Sequence, residues 1–201
     1  MTKNRLEACS DGVFAIVITL LVLDIKLPEG NSAGLSHALL ESLPRIAAYV
    51  MSFAIIGLYW VSHHRSFEMI AKVDGTLLWL NLLLLLLVSF IPFPTALLGR
   101  YPYEALPIVI YGLTLIACNA VGLGMMAYLL RRPHLMAHGH GRDSLRRQFP
   151  VHLIVMVNSG YLLAVLLARV APLASYLLLA LTLVALIARI VKFEPWEETG
   201  P

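Results

Sequence analysis

Arg5-Leu6-Glu7-Ala8-Cys9-Ser10-Asp11-Gly12-Val13-Phe14-Ala15-Ile16-Val17-Ile18-Thr19-Leu20-Leu21-Val22-Leu23-Asp24-Ile25-Lys26-Leu27 is the stretch that decides how this chain is read. It has the length and apolar run of a membrane-spanning helix, which needs roughly 20 mostly apolar residues to cross a hydrocarbon core about 30 Å thick. Yet Arg5, Glu7, Ser10 and Asp11 occupy its first two turns. A charge at membrane depth costs roughly 2.5–3.5 kcal/mol on insertion scales, so a chain that keeps one there faces it toward protein or a water-filled path. From Gly12 to Leu23 only Thr19 interrupts the apolar run. The pattern gives this helix the working role in a channel or transporter, with the other helices as its walls.

Working outward, the 201 residues are 59% hydrophobic and 13% charged, with a mean hydropathy of +0.80. Soluble domains carry about 25% charged residues. The composition therefore predicts an all-α integral membrane protein, residues 1–201 forming one transmembrane domain whose surroundings are the lipid bilayer. A formal net charge of +3 is too small to argue for nucleic acid. Cys9 and Cys118 both fall inside predicted spans and read as small apolar residues, with no disulfide framework. The first apolar stretch carries acids at both ends and no small-residue cleavage pattern follows it, so it does not read as a signal peptide.

Six segments meet the length of a span: about 5–27, 44–66, 74–98, 104–130, 148–169 and 171–192. Pro44 opens the second, where its missing N–H would be unpaired in any case. The third contains six successive leucines, Leu82 to Leu87, and has Pro92-Phe93-Pro94 near its end. Residues 131–147, with Pro, Gly and charges, form the longest polar linker, and the acidic tail from Glu194 to Pro201 reads as frayed. No internal repeat is visible. With both termini cytoplasmic, eleven of the fifteen Lys and Arg fall on the cytoplasmic side, and this is the favoured orientation.

In the first helix, spacing of i, i+4 and i+7 puts Ile16, Leu20 and Leu23 on one stripe with Thr19 beside it. Such a stripe fits ordinary packing or lipid contact. The alternative is the narrowest part of a symmetric pore, where apolar rings gate by dewetting. One subunit cannot ring an axis with its own first helix, so the pore reading demands an oligomer. Arg5 and Asp11 are six residues apart and so are not direct helical partners, which points each of them to neighbouring helices. The second span ends Tyr59-Trp60-Val61-Ser62-His63-His64-Arg65, and the third carries Asp74 and Asn81. A buried network of carboxylate, imidazole, indole and amide among these would hold the first helix in register. The competing reading is a proton relay or pH sensor through His63 or His64.

Arg5-x-x-x-Cys9-Ser10-Asp11, followed by Gly-Val-Phe-Ala-Ile-Val-Ile-Thr-Leu-Leu-Val-Leu, resembles the signature of the transmembrane protein 175 family of potassium channels, with Cys9 where the usual form has Phe. The resemblance continues through Tyr59-Trp60-x-x-His63-His64-Arg65-x-Phe67, Leu78-Trp79-Leu80-Asn81 and Ser89-Phe90-x-Pro92-Phe93-Pro94-Thr95, about the first half of the chain. It implies a potassium-selective channel without a carbonyl filter, built as a homotetramer of six-helix subunits around a pore lined by the first helix. It resembles the prokaryotic branch, in a plasma membrane. On this resemblance the narrow apolar layers map onto Ile16, Leu20 and Leu23. A hydroxyl layer maps onto Thr19, with transient potassium ions near it, no resident cofactor and no structural metal. Arg5, Ser10 and Asp11 map onto a network joining the second and third helices, with a His, a Trp and an Asn as partners.

Other features argue less. Val121-Gly122-Leu123-Gly124 lies in an unbroken apolar helix and reads as small residues that allow close helix contact, not as a filter. His134, His138 and His140 read as part of a solvated basic loop near anionic headgroups, with metal binding as the weaker reading. No nucleophile with a placed base and no zinc-like cluster is evident, so the chain does not read as an enzyme. The alternative of another class is a proton-coupled secondary transporter using Asp11 and the His63/His64 pair.

Overall fold

The computed structural model describes residues 2–26, 34–137 and 150–193. Within them the protein is helical. Helix α1, Lys3–Leu20, tightens into a 3-10 turn, Leu21–Asp24. The short α2, Leu35–Glu41, follows Gly34, whose φ of 89° needs a residue without a Cβ. Helix α3 spans Leu43–Glu68 with Pro44 in its first turn, α4 spans Gly75–Phe90 and α5 spans Pro92–Arg100. Helix α6, Ala105–Arg131, is followed by a 3-10 turn, Pro133–Leu135. Helices α7, Val151–Leu167, and α8, Pro172–Phe193, complete the bundle.

Two boundaries differ from the sequence reading. The third segment is two helices, because Pro92 and Pro94 cannot donate to Val88 and Phe90. The Ile91 amide takes the Val88 carbonyl instead (3.1 Å), and regular bonding resumes with Thr95 to Ile91 (3.1 Å). Helix α2 has no counterpart in the six predicted segments. Among the described residues four stretches are long and apolar enough to cross a membrane: Lys3–Asp24, Leu43–Glu68, Gly75–Arg100 and Ala105–Arg131. Val151–Leu167 and Pro172–Ala188 are apolar but shorter. Residues 138–147 of the long linker, with His138 and His140, and the tail 194–201 lie outside the described residues.

Helix α1 packs on α3 and α4, α3 on α5, α6 on α4, α5 and α7, and α7 on α8. Two glycines set the closest approaches in the C-terminal part. A Cβ on Gly112 would sit 2.6 Å from Val165 of α7, and one on Gly160 would sit 2.7 Å from Thr182 of α8. Small residues let helix backbones meet where lipid offers no hydrophobic drive to pack them. A Cβ on Gly122 or Gly124 would meet nothing within 4 Å, so the close contact expected there falls at Gly112 instead. At the end of the bundle carrying the N-terminus, Ile70 and Met136 form an antiparallel bridge.

Candidate functional site

The two sides of α1 differ completely in cover. Leu6, Ser10, Phe14, Val17 and Leu21 are buried against the bundle. Ile16, Leu20 and Leu23 are 59%, 46% and 64% exposed, and Thr19 is exposed beside them. Cys9 and Gly12 continue the open side toward the N-terminus. The Thr19 hydroxyl turns back on its own helix, to the carbonyls of Ile16 (2.9 Å) and Ala15 (3.1 Å).

A buried chain of hydrogen bonds fastens the covered side. Asn81 of α4 donates through Nδ2 to Ser10 Oγ (3.0 Å), and Ser10 donates to the Leu6 carbonyl (2.9 Å). The Asn81 carbonyl oxygen can only accept, so His63 of α3 donates to it through Nε2 (2.7 Å). Phe14 and Phe67 enclose the His63 ring, with centroids 5.5 and 4.3 Å away. One turn earlier on α3, Trp60 donates through its indole N–H to Asp11 Oδ1 (3.0 Å). Ser10, Asp11, Trp60, His63 and Asn81 thus sit at the junction of α1, α3 and α4.

The remaining polar residues singled out in the sequence lie elsewhere. His64 is exposed, stacked on Trp60 at 5.9 Å and lying 3.8 Å from Glu7 and 3.6 Å from Glu68. Arg5 is exposed and makes no hydrogen bond or ion pair among the described residues. Asp74 caps α4 by accepting from the Leu77 amide (2.9 Å) and takes a hydrogen bond from Tyr128 of α6. Those two donors hold its carboxyl below the usual carboxylate range, the Tyr128 hydroxyl having the larger effect. It ties α4 to α6 and stands apart from the Ser10–Asn81–His63 chain.

Two further polar junctions escaped sequence reasoning. Ser52 of α3 bonds Thr95 of α5 (2.7 Å) and Tyr111 of α6 (2.9 Å), all three buried. Tyr59 of α3 donates to Asn119 of α6 (3.0 Å), which donates to Asn158 of α7 (3.0 Å). The available signal was polar residues in the middle of apolar spans, which seek partners across helices. Among the described residues no three His, Cys, Asp or Glu come together as a metal site.

Long apolar helices fastened by buried hydrogen bonds, the first of them with one uncovered apolar side, define a multi-pass integral membrane protein. The family described as endosomal/lysosomal potassium channel TMEM175 matches over residues 5–92. A potassium channel of Streptomyces collinus is 45% identical over 138 residues, which are 66% of this chain and 67% of that one. A potassium channel of Chamaesiphon minutus is 52% identical over 101 residues, 49% of this chain and only half of the relative's length. The crystal structure of a lysosomal potassium-selective channel TMEM175 homolog from Chamaesiphon minutus superposes with a TM-score of 0.79 at 33% identity, covering 93% of this chain and 97% of that one. The chain belongs to the TMEM175 family.

Proposed function

We infer that this protein is a potassium channel, conducting passively through a homotetrameric pore lined by the open side of α1. The observation that carries the reading is the division of α1. One side is fixed to α3 and α4, and the other presents Ile16, Thr19, Leu20 and Leu23 to whatever occupies a symmetry axis. Family membership and relatives named as potassium channels support it. In the assembled protein these residues form stacked rings, and apolar rings close a pore by dewetting. Thr19 commits its hydroxyl proton to backbone carbonyls, which leaves oxygen lone pairs to face a potassium ion in transit. Potassium is the permeant ion. We read the protein as having no resident cofactor, no structural metal and no enzymatic step.

The remaining architecture follows the same reading. Residues 1–201 form one domain, with α7 and α8 as fifth and sixth spans. The membrane is the plasma membrane of a prokaryote, and both termini are cytoplasmic, because that side carries most of the Lys and Arg. In the pore-lining unit Ser10, Asp11, Trp60, His63 and Asn81 hold α1 in register. The proton-coupled carrier using Asp11 and the His63/His64 pair finds no support in these relatives, which are channels.

The test is the reversal potential of the purified protein in planar bilayers with potassium on one side and sodium on the other. A reversal shifted toward the potassium equilibrium potential, with unitary currents, is expected. Coupled, saturable uptake without unitary currents would overturn the reading.

A further inference from the structure

We propose that the end of the bundle carrying the N-terminus holds a binding site for the phosphate of an anionic lipid headgroup, formed by Lys72, Arg131, Arg132 and His134. Two connections that are distant in sequence are fastened together there. The amides of Ala71 and Lys72 both donate to the Leu135 carbonyl (2.8 and 3.2 Å), and the Ala137 amide donates to the Met69 carbonyl (2.9 Å). The turn itself is closed by Leu135 N–H to the Arg132 carbonyl (3.0 Å). Met69, Ile70, Leu135 and Met136 are buried beneath this platform, while Lys72, Arg131, Arg132 and His134 are exposed on it. The pairing therefore brings the end of α3 and the end of α6 into one cationic surface, with apolar side chains inward and basic ones outward.

Two acids lie beside it. Asp74 accepts from Leu77 and Tyr128, and Glu68 lies beside His64. The Arg132 guanidinium lies over the Tyr128 ring, 6.0 Å from its centroid, which limits its swing. Among the described residues neither Lys72, Arg131 nor Arg132 has a carboxylate within 4.0 Å. The Asp74 carboxylate acts on Arg132 and His134 through space, so the platform sets three cations against that one carboxylate, and phosphate oxygens match the donor fork of arginine.

Depth selects lipid over a soluble anion. Trp79, in the second turn of α4, is 72% exposed, and Leu82, Leu83 and Leu86 beyond it are exposed too. Tryptophan favours the headgroup level and leucine the acyl chains, so the platform lies at the phosphate layer. Basic residues at this level interact with anionic lipid by an amount that corresponds to about fivefold in affinity per charge.

The experiment is a thermal-unfolding titration of the purified full chain in neutral detergent, adding phosphatidylglycerol or phosphatidylcholine. Wild-type protein is compared with the combined Lys72→Gln, Arg131→Gln and Arg132→Gln variant, and with Arg100→Gln as a control at the opposite end of the bundle. Phosphatidylglycerol is expected to raise the midpoint at lower concentration than phosphatidylcholine. The triple variant should need more than tenfold more of it, and Arg100→Gln should behave as wild type. Equal responses of the triple variant and wild type would overturn the proposal, as would no preference between the two lipids. Abolition of the phosphatidylglycerol effect by millimolar inorganic phosphate would assign the site to a soluble anion and overturn the lipid assignment. None of these readouts depends on whether the protein conducts.

Discussion

The two sides of α1 are built from similar residues and do opposite things. Leu6, Phe14 and Val17 are covered by α3 and α4, and among them Ser10 joins a three-residue chain of hydrogen bonds to Asn81 and His63. Ile16, Leu20 and Leu23 are just as apolar and are left uncovered, and Thr19 among them bonds only its own backbone. Hydrophobicity does not separate the sides. The destination of the side-chain hydrogen bonds does. A helix that must hold its place while leaving one side open needs directional anchors on the other, because apolar packing alone permits rotation and sliding in lipid.

That contrast can be broken from its covered side. Phe14→Ala removes a fully buried ring that also walls His63, and it should cost about 3–5 kcal/mol in unfolding measured by detergent titration. Asn81→Leu leaves His63 Nε2 without its partner, at about 1–3 kcal/mol, and takes one donor from Ser10 Oγ, which keeps its bond to the Leu6 carbonyl. A smaller shift than Phe14→Ala is therefore expected, and an unchanged midpoint would remove the anchor role of this chain. Asp74 is a gentler perturbation. Its depressed carboxyl supplies stability that is fully present above the ordinary carboxylate pKa of about 4 and is lost as pH falls through the lower folded value. Asp74→Asn should thus melt below wild type at neutral pH and converge with it in acid; a gap independent of pH would contradict the assignment. At the open side, Leu23→Ala should alter unfolding by about 0.5 kcal/mol or less, and a loss comparable to Phe14→Ala would mean the two sides are not distinct in cover.

Much of this arrangement is legible in the residues. Charges and Ser10 at the start of an apolar run mark α1, and its 3.6-residue period separates Leu6, Ser10, Phe14 and Val17 from Ile16, Leu20 and Leu23. What the period does not contain is the rotation of the neighbouring helices. His63 and His64 are adjacent in the chain, yet a step of about 100° per residue turns one into the core and the other outward. The junctions Ser52–Thr95–Tyr111 and Tyr59–Asn119–Asn158 stayed hidden for the same reason: a lone polar residue in a leucine-rich span names no partner. Gly122 and Gly124 looked like the contact glycines of α6, but a Cβ at either would meet nothing within 4 Å, whereas one at Gly112 would meet α7. Pro92 was visible in the sequence, and its consequence, the division of a predicted span into α4 and α5, follows from the missing amide.

The proposed conduction path is the open side of α1. Its most direct test is the reversal potential of Ile16→Asn beside wild type, under opposed potassium and sodium gradients. Replacing an apolar ring with an amide wets the constriction, so a reversal moving toward zero with larger unitary current is expected. A variant that conducts with the wild-type reversal potential would place the selective part of the pore elsewhere.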